Sequence, residues 1–319
     1  MAIRKRLPLV PLAVLLAALV VVPAAEAKYR VGIGDQSAAM FDSARWQSLK
    51  LKRVRYLVPW EWRKHEYQRI EIDTYMRRAR AERQQVLVTF TASRGCWNGS
   101  RYARKRSCKA PSKRKYRASF RAFDKRYPWV KTYSAWNEVN HESQPTYRKP
   151  KLAVRYYHVL RKDARKRKFK VMAADILDIS NMRSYLRKFM RKAKGKPRLW
   201  GLHNYQDVNR KTSADTRLML RMVPGQVWLT ETGGLVKFGD GRQFRYNPRR
   251  AAKRTKWMFK LANRYDSRKR GMRSKITQLY VYRWFGEGRD ARFDAGLVNP
   301  DGTPRKAYKV FRKYAKRHR

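Results

Sequence analysis

Two glutamates stand where short apolar runs break off. Glu138 follows "VKTYSAW" in Trp136-Asn137-Glu138-Val139-Asn140, and Glu231 follows "QVWLT" in "VWLTETGG". Two carboxyl groups brought together from such positions can divide a reaction between them. One, kept protonated by the other's charge, donates a proton, while the other stays ionised and attacks. Taken singly, either glutamate can equally cap the next helix or pair with one of the many arginines, so the weight rests on the pair. Asp35, Asp175, Asp178, Asp207 and Glu287 lie at similar places and the sequence does not rank them. Rival chemistries find little support. There is no G-x-S-x-G for a serine hydrolase and no H-E-x-x-H for a metal hydrolase. The two thiols and five scattered histidines show no ligand spacing, so no metal site is expected and no cofactor is called for.

The elements that must position these carboxylates are strands and helices in alternation. The β-branched and aromatic runs "VGIGD", "VRYLV", "VLVTF", "VKTYSAW", "FKVMAAD", "LWGLHNY", "QVWLTE" and "ITQLYVYRW" read as eight strands. Between them "TYMRRARAERQQ", "KLAVRYYHVLRKDARKRK", "SYLRKFMRKA" and "PRRAAKRTKWMFKLANRY" carry apolar residues on one helical face. Strand–helix repetition implies a parallel sheet. Eight units of about 36 residues each predict an α/β fold, a single (β/α)8 TIM barrel over residues 28–319. An open doubly wound sheet is the runner-up, but "VGIGDQSAAM" lacks the G-x-G-x-x-G spacing of its phosphate turn. In a barrel, chemistry gathers at the C-terminal strand ends, where Glu138 and Glu231 would sit on the fourth and seventh strands.

Asn-Glu after strand four and Thr-Glu-Thr-Gly after strand seven resemble the catalytic pair of the retaining clan A glycoside hydrolases, the superfamily of cellulases, mannanases and β-xylosidases. The resemblance implies Glu138 as acid/base, its pKa raised by the neighbouring carboxylate, and Glu231 as nucleophile. It further implies Arg55 and Tyr205 as the groups that hold Glu231, Asn137 as the contact to the sugar 2-hydroxyl, His203 beside Tyr205 in "HNY" as a substrate contact, and Trp284 in "YRWF" as the aromatic under the sugar. Val139 departs from the pattern, since proline often follows the family's Asn-Glu. Trp60, Trp62 and Trp97 are further candidates for sugar platforms, or for loop packing.

The first residues read as an export signal: Arg4, Lys5 and Arg6, an apolar run from Leu12 to Val22, then Ala25-Glu26-Ala27, with cleavage expected after residue 27. A secreted or envelope location favours a disulfide between Cys96 and Cys108, the only cysteines. The chain carries 80 Lys and Arg against 23 Asp and Glu, a net charge of +57. With export, that charge points to an acidic glycan or an anionic envelope surface as partner, or to surface adaptation alone. Nucleic acid is disfavoured, because no basic face interleaved with aromatics is apparent. The partner expected at the strand ends is a polysaccharide or oligosaccharide. The rival reading keeps the barrel and the sugar site but binds without turnover.

Overall fold

The computed structural model describes residues 29–193, 197–240 and 243–318. The expected export signal, residues 1–27, lies outside them. All eight runs named above form strands of one parallel sheet: β1 Arg30–Gly34, β2 Arg53–Pro59, β3 Gln85–Thr91, β4 Thr132–Ser134, β5 in two segments (Lys170–Met172 and Asp175–Leu177), β6 Leu199–His203, β7 Gly225–Thr232 and β8 Ser274–Tyr282. Strand β1 pairs with both β2 and β8. The run through β5 pairs with β4 by its first segment and with β6 by its second. Between them the Ala173 amide donates to Leu199 O at 2.9 Å and the Asp175 amide to Trp136 O at 3.1 Å, so one run bonds to both neighbours and closes the barrel. The runs are apolar almost throughout because a parallel barrel is buried on both faces, and simple alternation would leave one face wet.

Nine helices lie outside the sheet among the described residues: α1 Ala44–Leu49, α2 Glu66–Ala81, α3 Lys113–Arg126, α4 Pro150–Arg167, α5 Met182–Lys192, α6 Tyr205–Arg210, α7 Ala214–Met222, α8 Pro248–Arg264 and α9 Lys306–Ala315. Their starts are encoded locally. Proline occupies the first turn of α4 and α8, where its missing N–H is no loss, and the Asn247 side chain accepts from Arg250 N at 2.8 Å to cap α8. Helix α8 buries Ala251, Thr255, Met258, Phe259 and Ala262, a stripe at three- and four-residue spacing, and leaves its arginines and lysines outside. Helix α2 is a correction to the sequence reading. It begins eight residues before "TYMRRARAERQQ" and ends at Ala81, because Gln84 and Gln85 are already turning into β3.

Inside the barrel, the two-residue period of the strands stacks side chains in layers. Leu87, Met172, Trp228 and Tyr280 form an apolar plug. Two residues further along β3 and β7, the same faces carry Thr89 and Thr230, and a polar layer begins there. Cys96 and Cys108 are joined as expected, pinning the loop after β3. No helix among the described residues is long and apolar enough to cross a membrane.

Candidate active site

The polar layer is organised by Arg55 of β2, which is fully buried. Its guanidinium donates to Glu231 Oε1 at 2.6 Å, Asp175 Oδ2 at 2.8 Å and Asn137 Oδ1 at 2.8 Å, and its Nη2 lies 3.4 Å from His203 Nε2. One cation thus ties together the ends of β2, β4, β5, β6 and β7. Burial alone would lower its pKa, but the charges of Asp175 and Glu231 raise it, so the group stays charged. Asp175 is gripped on its other sides by Thr230 Oγ1 at 2.9 Å and Thr89 Oγ1 at 3.1 Å. The Asn137 carbonyl oxygen is taken by Arg55, which leaves its amide NH2 to donate into the cavity that Asn137 lines.

Glu138 sits in a left-handed conformation, φ +40°, which a residue with a Cβ adopts at a cost of roughly 1–3 kcal/mol. Its neighbours impose it: the Asn137 amide donates to Phe90 O at 2.8 Å, Val139 to Asp175 O at 3.0 Å and His141 to Glu138 O at 2.8 Å. The second bond accounts for Val139, since proline has no N–H to give. So held, Glu138 accepts from or donates to His203 Nδ1 at 3.1 Å, and the same nitrogen lies 3.7 Å from Glu231 Oε2. One oxygen of Glu138, one ring nitrogen of His203 and one oxygen of Glu231 all fall within 4.8 Å of one another. Tyr205 OH donates to Glu231 Oε2 over a long 3.5 Å. Burial, followed by the Glu231 charge, pushes the pKa of that phenol well up, so it remains a donor.

One expectation is corrected in direction. The resemblance implies a raised pKa for Glu138. Burial does push it up, but the hydrogen bond and charge of His203, aided by His141 and Arg55, outweigh burial and the net shift is downward. His203 moves the other way: burial lowers it, and Glu231, Glu138 and Asp175 more than reverse that. The imidazole between the two carboxylates is what the two-carboxylate picture left out.

Arg55, Asn137, Glu138, His203, Tyr205 and Glu231 therefore converge, whereas Trp284 stands apart. Its ring is fully buried, edge-on to Trp46 at 6.0 Å and Tyr308 at 5.8 Å, and the aromatic that β8 presents to the cavity is Tyr282. Strand β8 ends at Tyr282, and Asp35 then draws the chain across by accepting from the Trp284 amide at 2.7 Å. Of the unranked carboxylates, Asp175 belongs to the site. Asp178 accepts from the Asp207 amide and Asp207 from the Thr216 amide, so both fasten loops, although Asp178 also lines the cavity. Glu287 pairs with Arg283. Trp60 and Trp62 pack inward, and Trp97 alone of the three lines the cavity. The last residue of "FKVMAAD" was the available signal for Asp175, by the strand-end rule that picked out Glu138.

The cavity in front of these groups has a volume of about 560 Å³, and Trp97, Tyr205, Phe238, Phe244, Tyr282 and Phe293 give it aromatic walls. Glu138, His203 and Glu231 form a donor set that a metal ion can use, but the Arg55 guanidinium already bonds Glu231 and sets its charge against a second cation there. Chemically, the arrangement offers a carboxylate held by a guanidinium, a second carboxyl group hydrogen-bonded to an imidazole, and an amide donor beside them.

Comparison with known proteins bears on the family and the fold. The sequence profile of the family described as "Glycosyl hydrolase catalytic core" matches residues 112–311, more than half of the chain. No curated protein matches. Among solved structures, a psychrophilic family 10 endo-β-1,4-xylanase is similar at 11% identity and TM-score 0.59, over 89% of this chain and 96% of its own. A family 113 β-1,4-mannanase is similar at 13% identity and TM-score 0.53, over 91% and 99%. A β-glucosidase is similar at 11% and 0.59, over 87% of each chain. At such identities the likeness is one of fold.

Proposed function

The chain belongs to the glycosyl hydrolase catalytic core family, a (β/α)8 glycoside hydrolase of the clan A type, and on that footing we propose that it cleaves O-glycosidic bonds with retention, Glu231 acting as nucleophile and Glu138 as acid/base. The observation that carries this reading is the separation of the two carboxylates, within 4.8 Å oxygen to oxygen. Retention needs carboxyl groups ~5–5.5 Å apart, whereas inversion needs roughly 6.5–9.5 Å to admit a water.

In the first step Glu231 bonds to the anomeric carbon as the bond to the leaving oxygen breaks and Glu138 gives that oxygen its proton. In the second, water adds to the anomeric carbon, Glu138 takes a proton from it, and Glu231 leaves as a carboxylate. Glu138 shifts downward and His203 upward, which favours the imidazole as holder of the pair's proton before substrate binds. A sugar in the cavity strips water from Glu138, favours its neutral form and draws the proton across their 3.1 Å hydrogen bond. Arg55 and Tyr205 orient Glu231, and the Asn137 amide donates to the sugar 2-hydroxyl. Three carboxylates face Arg55 and His203, a surplus of negative charge that favours an oxocarbenium-like transition state.

The substrate is a polysaccharide or oligosaccharide. Export through residues 1–27, a single domain from residue 28, and a basic surface suited to an acidic glycan or envelope polymer belong to the same proposal. The test is a panel of xylan, mannan and β-glucan oligosaccharides with matching dinitrophenyl glycosides. Glu231→Ala should abolish all turnover. Glu138→Ala should spare the dinitrophenyl substrates, whose leaving group needs no proton. Equal loss in both folded variants would refute the division of roles.

A further inference from the structure

The cavity before Glu138 and Glu231 has two unlike ends. At one end three loops meet. Gly99, in the disulfide-closed loop after β3, is buried with φ +100°, and a Cβ there would come 3.0 Å from Cδ and 3.1 Å from Nε of Arg292, in the loop after β8. Arg292 is itself anchored, its carbonyl accepting from the Gly239 amide at 2.8 Å. The next residue, Phe293, pairs with Phe238 in the two-stranded ribbon that joins the loops after β7 and β8. In the barrel order β1 and β2 lie between β8 and β3, the strands whose loops meet in this wall, and they give the cavity only Leu57.

At the other end the cavity continues. His141, Glu142 and Ile179 line both it and a second cavity of about 670 Å³, which runs between the segments after β4 and β5 past Tyr147, Asn181 and Tyr185. The leaving oxygen must lie at Glu138, and His141, three residues on from it, marks the junction of the two cavities. The leaving-group chain therefore exits through the second cavity, and the sugar whose anomeric carbon is attacked has its non-reducing side against the wall.

Resting on the hydrolase reading above, we infer that the enzyme acts from the non-reducing end: the Gly99–Arg292 contact closes the glycone side, so a chain enters end first and cannot be cut internally. A polymer threading past the active carboxylates would have to pass through that contact.

The probes are β-1,4-xylo-, β-1,4-manno- and β-1,3-gluco-oligosaccharides carrying a fluorescent label at the reducing end, each with or without a methyl cap on the non-reducing terminal sugar. The wild type should release labelled products shortened by one fixed step from the first time point, and the cap should slow it by about tenfold or more. Arg292→Gly, a change at an exposed side chain outside the catalytic machinery, should yield labelled fragments of many lengths and accept the capped probe. A ladder of fragments from the wild type, or equal rates with and without the cap, overturns the inference, as does an Arg292→Gly enzyme with unchanged products. Absence of cleavage of every probe, and of uronic-acid-containing oligosaccharides carrying the same label, by folded wild type overturns the hydrolase reading itself, a distinguishable failure.

Discussion

Glu138 and His203 are hydrogen-bonded and their pKa values shift in opposite directions, which fixes the sign of two pH effects. Glu138 has a folded pKa below its ordinary 4.5, so its contribution to stability is present above 4.5 and lost as pH falls through the depressed value. His203 has a folded pKa above 6.5, so its contribution is present below 6.5 and lost as pH rises through the raised value. The stability difference between the wild type and Glu138→Gln should therefore plateau between pH 4.5 and 6.5 and shrink on either side. For catalysis the pair must hold its proton, so the alkaline limb of kcat/KM should lie above 6.5 and follow His203. In His203→Asn the limb should move to lower pH, as Glu138 must then keep the proton unaided. Profiles that coincide for the wild type and this variant, both folded, would show that the imidazole holds no proton for Glu138.

The strands place these groups through small residues as much as through functional ones. Gly201 of β6 lies under the Asp175 carboxylate: a Cβ there would fall 1.9 Å from Asp175 Oδ1 and 2.7 Å from Thr230 Oγ1. Gly201→Ala should push Asp175 off Arg55 and loosen the network from beneath, lowering kcat by ten- to a hundredfold, on the order expected when an orienting partner is lost. Retention of full activity, with the pH profile unchanged, would mean that Asp175 does not position Arg55. The same contrast shows how far the sequence could be read. Eight strands and the residues at their ends were legible because burial on both faces leaves continuous apolar runs, and each run stops where the barrel opens. Arg55, Asn137, Glu138, His203, Tyr205 and Glu231 stand on or just beyond those runs, where the family resemblance could pick them out. Trp284 was misplaced, because its position depends on where Asp35 pulls the chain beyond β8, a contact between residues at opposite ends of the sequence. The helix Lys113–Arg126 escaped notice because its apolar stripe of Tyr116, Phe120 and Phe123 is submerged in basic residues. The pKa directions of Glu138 and His203 arise from five strand ends meeting, which no single run records.

Across the whole molecule basic residues cover the helices and the loops alike, with Arg101, Lys105, Arg106 and Lys109 exposed in the loop after β3. Helices α2, α3, α4, α5, α7, α8 and α9 all carry Arg or Lys in the last turn, where a cation also suits the helix dipole. In a (β/α)8 barrel the helices return antiparallel to the strands, so these last turns gather on the face opposite the mouth, while Glu138, Asp175 and Glu231 line the mouth itself. A polyanion bound by this basic surface, as proposed above, would be held electrostatically. Such attachment is long-range and screened over about 8 Å at physiological salt, whereas the carboxylate geometry is not. Binding of Glu231→Ala protein to a uronic-acid-rich polymer should therefore fall steeply between low and physiological salt. Turnover of a small neutral glycoside by the wild type, measured at fixed pH, should change by no more than about twofold, because its chemistry is set by contacts much shorter than the screening length. Equal binding to neutral and acidic polymers at low salt would remove the anionic partner and leave the +57 charge as a property of the surface alone.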